Sequence, residues 1–244
     1  MRITSRCVVL NFIGKIQFID SWQCLVRTGG PGINGLSVLV VPRSEGVATR
    51  PIALGLDGQE ETAFVAFDDV KVPASHLVGQ EGQGFRYCLD NLNHERLIVA
   101  YQALALGRRC LDQTMAWAKK REAFGKTLIE QPVVRNKFAN MGRQIEALQS
   151  WVEQLVFEVG QMGHGEGKSA LGGTTALLKA QSGMTLRYTA NECQKIFGGL
   201  GMTRTGPGSE VEAITRRVPI LEIPGKSHVR LDMLRSTNTS IRWC

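Results

Sequence analysis

The spacing of apolar residues changes character partway along the chain. Residues 22–72 carry short β-rich runs, "WQCLVRTGG" and "LSVLVVP", with "GPGING" as the turn between them. In "TAFVAFDDVKVP" the alternation puts Ala63, Val65 and Phe67 on one face, and Pro42, Pro51 and Pro73 bound the elements. A small antiparallel β unit is predicted. After "GQEGQGF" the period lengthens. Apolar residues recur at 85, 89, 92, 99, 103, 106 and 110 with no proline up to Lys120, which predicts one helix of about ten turns. "REAFGKTLIEQP" breaks it, and Pro132 suits the first turn of a second helix ending near Met162. "GHGEGKSALGG" reads as a connection, Thr174–Phe197 as a third helix and "GGLGMTRTGPG" as a glycine-rich loop. Shorter helices are expected at 208–217 and 226–237, then a polar tail. Long helices with short joints make a bundle, so the expected class is α+β: a partial antiparallel β domain followed by a four-helix bundle.

Composition narrows the chemistry. Hydrophobic residues make up 43% and charged residues 21%, which suits a packed core rather than a disordered chain. No apolar run is long enough to cross a membrane. The six cysteines and four histidines are scattered, with no CxxC or Cys/His cluster; reduced thiols in an intracellular protein and no metal centre are expected. The formal net charge of +7 suits anionic partners such as nucleotide phosphates, coenzyme A or nucleic acid.

One charged pair stands out on the first long helix. Glu95 and Arg96 both fall between Leu92 and Val99, so both are expected to point with the core residues. A glutamate in that position either pairs with a neighbouring helix or is a desolvated functional carboxylate.

Three phrases in order, "FDDVKVPASHLVGQEGQGF", "KKREAFGKTLIEQP" and "CQKIFGGLGMTRTG", resemble the acyl-CoA dehydrogenase family over about residues 22–235. The resemblance implies a middle β domain and a C-terminal four-helix bundle, with residues 21–80 a partial β domain and 81–237 the bundle. Residues 1–20 do not match and read as an unrelated segment; 238–244 read as a tail. A first helical domain and the front of the β domain are expected to be missing. The implied activity is α,β-dehydrogenation of an acyl-CoA thioester: a carboxylate takes the α-proton and FAD takes a hydride from the β-carbon. A base for so weak an acid must be desolvated so that its pKa rises.

Most members carry that glutamate near the C-terminus, where this chain has "EIPGKSHV" and Pro224. A branch similar to isovaleryl- and long-chain acyl-CoA dehydrogenases places it on the first bundle helix, where "LNHER" puts Glu95. Glu95 is thus the candidate base, with Glu222 a lower-ranked rival. Asn93, Arg96, Pro224 and Gly225 are the residues that the resemblance sets at the acyl-CoA site; for Arg96 a salt bridge at the edge of the core is the alternative. "REAFG" implies that Arg121 contacts the FAD pyrophosphate and that Phe124 packs near the cofactor, although the usual glutamine eleven residues on is here Pro132, preceded by Gln131. "KIFGG", which is Lys195, Ile196, Phe197, Gly198 and Gly199, resembles the loop that reaches the FAD of a neighbouring subunit, with Lys195 in place of a glutamine. Lys226 for threonine and "TRR" at 215–217 for "RD" are further departures. A homo-oligomer, dimer or tetramer, is implied, and no particular electron acceptor. Two other readings remain open at this point. One is a non-catalytic, truncated relative that does not hold FAD alone. The other, ranked last, is a DNA-binding relative, supported by Arg230, Arg235 and Arg242.

Overall fold

A computed structural model describes residues 2–10, 20–55, 62–162 and 171–223. The chain divides into two compact units, Met1–Asn91 and Leu92–Cys244.

The first unit holds two three-stranded antiparallel sheets. One has the order β1 (Arg2–Leu10), β5 (Thr62–Lys71), β4 (Val47–Pro51); the other has β2 (Ser21–Arg27), β3 (Leu36–Pro42), β6 (Leu77–Val78). The alternation in β5 works as its pattern predicts: Ala63, Val65 and Phe67 are buried. They pack against Trp22, Leu39 and Val41 of the second sheet in one apolar cluster. The Trp22 and Phe67 rings meet edge to face, with centroids 6.2 Å apart. Arg27 ties down the turn after β2 by donating to the carbonyls of Gly30 and Gly32. The sequence pattern starts the strands at Trp22; the structure adds Arg2–Leu10, paired antiparallel from Arg2↔Lys71 to Leu10↔Thr62.

The bundle is formed by α1 (Gly84–Ala118), α2 (Pro132–Gln161), α3 (Gly172–Phe197) and α4 (Ser209–Glu222), close to the expected spans. The helix expected at 226–237 and most of the connection expected after α2 lie outside the described residues. Pro132 opens α2, and its buried stripe Val134, Phe138, Met141, Ile145, Leu148, Val152 and Leu155 follows the three-four spacing of an amphipathic helix. Ion pairs report the helix directions. Arg108 of α1 meets Glu146 of α2, and Lys137 near the start of α2 meets Glu192 near the end of α3. Arg109 of α1 meets Glu210 at the start of α4. The helices therefore alternate up and down. Helix α3 is buried on most of its circumference, through Leu178, Leu186, Ala190, Cys193 and Phe197, as befits the central member. Among the described residues no helix is long and apolar enough to cross a membrane.

Candidate functional site

The start of α1 brings some of the expected residues together and turns one away. Arg96 is buried at 6% exposure and continues a stripe through Ala100, Ala103, Gly107, Cys110, Thr114 and Ala118. Glu95 is exposed, on the opposite stripe with Ile98, Gln102, Ala105 and Arg109. The expectation that Glu95 points into the core is therefore corrected. Leu92 and Val99, which suggested it, are only half-buried and mark the margin of the buried face. Adjacent helical residues diverge by about 100°, so only one of Glu95 and Arg96 follows the core, and it is the arginine.

Arg96 donates from Nη1 to Asn93 Oδ1 at 3.1 Å, and Thr175 Oγ1 lies 3.4 Å from the same oxygen. Burial lowers the Arg96 pKa from its ordinary value, and its Nε is buried with no hydrogen-bond partner. Beside it stands a residue that the sequence reading passed over. Lys179 of α3 is 1% exposed, and its Nζ donates to the backbone carbonyl of Glu222 at 2.5 Å. Burial pushes the ammonium down to about 8; the Glu222 carboxylate opposes this shift and Arg96 adds to it. Glu222, the rival base, is itself buried and ion-paired to Arg187. The available sequence signal was a lysine set among small α3 residues, Thr175, Ser182 and Gly183, which leave room for a long side chain. Pro224 and Gly225 lie outside the described residues.

The other end of the bundle gathers the remaining candidates. Between α1 and α2 the chain makes a small hairpin, β7 (Glu122–Ala123) paired with β8 (Lys126–Thr127). Its tip has positive φ at Phe124 (56°) and Gly125 (78°). The turn projects Phe124 into solvent at 96% exposure, and Arg121 is exposed at its base. Gln131 donates to the Ala123 carbonyl and braces the hairpin. Thr127 donates its N–H and hydroxyl to Glu130, which holds that carboxyl below the usual range. Trp117, in the last turn of α1, stacks on Phe197, in the last turn of α3, with centroids 5.5 Å apart. The hairpin and the "KIFGG" turn therefore share one end. Ile196 and Phe197 are buried core residues, whereas Lys195, Gly198 and Gly199 are exposed. Gly198 has φ 62°, and a Cβ added at Gly198 or Gly199 would meet nothing within 4 Å. Lys195 donates to Glu192 Oε1 at 2.5 Å, and Lys137 pairs with the other oxygen. Burial alone would raise the Glu192 carboxyl, but the two ammonium groups outweigh it and hold it below its ordinary value.

The two groups are far apart in one chain. Glu95 and Trp117 stand about 33 Å apart along α1, taking about 1.5 Å per residue. At one end, buried charges brace helices; at the other, exposed cations, an aromatic side chain and open glycine backbone face outward.

Antiparallel β sheets followed by an up-and-down helical bundle define the class. Comparison with known proteins gives the family. Its profile for the acyl-CoA dehydrogenase C-terminal domain matches residues 82–235. The acyl-CoA dehydrogenase apdG of Emericella nidulans is 42% identical over 211 residues, spanning 85% of this chain and 48% of that protein. The acyl-CoA dehydrogenase AFT10-1 of Alternaria alternata is 34% identical over 218 residues, 86% of this chain and 49% of that protein. A crystal structure of a candidate acyl-CoA dehydrogenase from Mycobacterium smegmatis superposes with a TM-score of 0.84 at 29% identity, covering 96% of this chain and 59% of that one. The chain belongs to the acyl-CoA dehydrogenase family. It spans about half the length of the curated relatives it matches.

Proposed function

We propose that the chain takes part in FAD-dependent α,β-dehydrogenation of an acyl-CoA thioester, with Glu95 as the base for the α-proton. The observation that carries this reading is the exposed end of the bundle inside the segment that matches the family, where Arg121, Phe124 and Lys195 are exposed and the backbone of Gly198 and Gly199 is open. Those residues fit a cofactor with an aromatic body and a pyrophosphate. Arg121 supplies a forked donor for the phosphates, Lys195 a second positive charge, and the glycines a close backbone approach. FAD, when bound, would supply the acceptor for the hydride leaving the β-carbon. Arg96 and Asn93 lie at the far end of α1, beside the first turns of α3, and orient the thioester there. Glu95 receives the α-proton on its carboxylate and gains its desolvation from what covers it, because in this single chain it faces outward. The distance between the two ends supports cofactor sites shared between subunits of a homo-oligomer, each subunit giving its hairpin to one site and its Glu95 to another.

The deciding measurement is the visible spectrum of the chain after gel filtration from excess FAD. Co-eluting flavin absorbance is expected, bleached on addition of butyryl-CoA or isovaleryl-CoA. Glu95→Gln should keep the flavin and lose the bleaching. A colourless eluate would favour the second reading, a family member that does not hold FAD by itself, to which the outward-facing Glu95 and the partial coverage of relatives also lend support.

A further inference from the structure

Arg96 is a buried cation with no anion beside it. It is 6% exposed and forms no ion pair among the described residues. Its Nη1 donates to a neutral acceptor, Asn93 Oδ1. Its Nε is enclosed and donates to nothing. Nη2 also donates to nothing among the described residues, but it is not enclosed. Buried charge is ordinarily paired, and an enclosed donor without an acceptor is rare in a folded core.

The neighbouring groups deepen the imbalance. Lys179, whose ammonium feels the Arg96 charge, donates to a backbone carbonyl, and the Glu222 carboxylate is ion-paired to Arg187. Neither buried cation donates to a carboxylate among the described residues. The free edge of Arg96 has a specific shape. Nε and Nη2 lie on one side of the planar guanidinium and give two parallel donors, at the spacing that the two oxygens of a carboxylate accept. A phosphate, with three outer oxygens, calls for more donors than this edge supplies. Asn93 Oδ1 holds the other side of the group and also accepts from Thr175 Oγ1 of α3 at 3.4 Å, so the fork is fixed before a ligand arrives.

We propose that the Nε–Nη2 edge of Arg96 is a carboxylate site, and that the acyl group this chain takes carries a carboxylate of its own, as succinyl-CoA does. The proposal rests on the reading above and deepens it: Arg96 orients the thioester by gripping a carboxylate on its acyl chain. One oxygen enters on the Nη2 side, and the second meets Nε where no protein acceptor stands. Lys179 does not touch the ligand. Its charge, in surroundings from which water is largely excluded, adds to the attraction.

The test is calorimetric binding to the full chain of succinyl-CoA and butyryl-CoA, which have equal carbon counts and differ in a terminal carboxylate against a methyl. Free glutarate is the third ligand. The parent should bind succinyl-CoA about tenfold more tightly than butyryl-CoA. Arg96→Met should bring the two within about twofold of each other. Arg96→Lys, which keeps the charge and lacks the fork, should retain a preference of only about threefold. That variant also carries the test if Arg96→Met fails to fold. Glutarate should bind the parent weakly and Arg96→Met not at all. Equal affinity of the parent for both thioesters overturns the proposal, as does a preference that survives unchanged in the Arg96 variants. If neither thioester binds, the acyl-CoA reading fails, and glutarate decides the site: binding that depends on Arg96 keeps it, and no binding overturns it.

Discussion

The two ends of the bundle handle charge in opposite ways. Around Glu222 the charged groups are inside: Lys179 and Glu222 are both nearly inaccessible and held by hydrogen bonds or ion pairs. At the hairpin end, Arg121, Lys195 and the Phe124 ring are exposed, and the backbone of Gly198 and Gly199 is open. Buried charge is costly unless paired, so the first cluster is committed to architecture. Exposed charge costs the fold little, and the Arg121 guanidinium remains available to a ligand. The same residue types therefore do two jobs, and burial separates them better than identity does.

That contrast can be broken most forcefully at Glu222. Glu222→Ala leaves Lys179 and Arg187 without their counter-charge and should lower unfolding free energy by about 2–4 kcal/mol, discounted because Arg187 is partly exposed. A urea titration at pH 7 reads this out; a change within experimental scatter would mean the cluster is not committed to the fold. Lys179 gives a smaller effect with a definite sign. Its folded pKa is depressed to about 8 from 10.5, so between those values the unfolded chain holds the extra proton. Stability from this group therefore rises with pH above about 8, by about 1 kcal/mol up to pH 9. Lys179→Met should lack that rise in urea midpoints taken at each pH. The Cys193 thiol, pushed up to about 11 by burial, acts the other way, but only above the ordinary thiol value of 9.0. The lower window therefore belongs to the lysine.

The exposed end sharpens the comparison from the other side. Lys195→Gln should cost about 0–1 kcal/mol, because its pair with Glu192 is half in solvent. Arg121→Ala should move stability by no more than about 0.5 kcal/mol. Yet Arg121→Ala should strip flavin from the chain on gel filtration, if that end holds the cofactor as proposed. A large stability loss in Arg121→Ala would erase the division between the two ends.

The helices and strands were legible because their burial follows simple periods. Ala63, Val65 and Phe67 alternate, and Val134, Phe138, Met141 and Ile145 step by three and four. Arg2–Leu10 was not legible: only its long pairing with β5, remote in sequence, makes it a strand. Glu95 was misjudged because two half-buried neighbours bracket both it and Arg96, and a spacing of seven leaves the tie unbroken. The hairpin and the glycine turn were recognisable as phrases, but their meeting through Trp117 and Phe197 required the fold. Lys179 was missed because a lysine counts as surface in any pattern; small α3 neighbours and a helix end in need of a donor make it interior.

The Trp117–Phe197 stack also gives the molecule an optical gauge. The indole is half-buried, its Nε1 is enclosed with no hydrogen-bond partner, and it stands at the junction of the two segments proposed to meet the cofactor. Its emission therefore reports on that junction. An acceptor chromophore arriving there would drain its excited state, and a phenylalanine in its place would dim the signal while leaving Trp22, Trp151 and Trp243 as internal references.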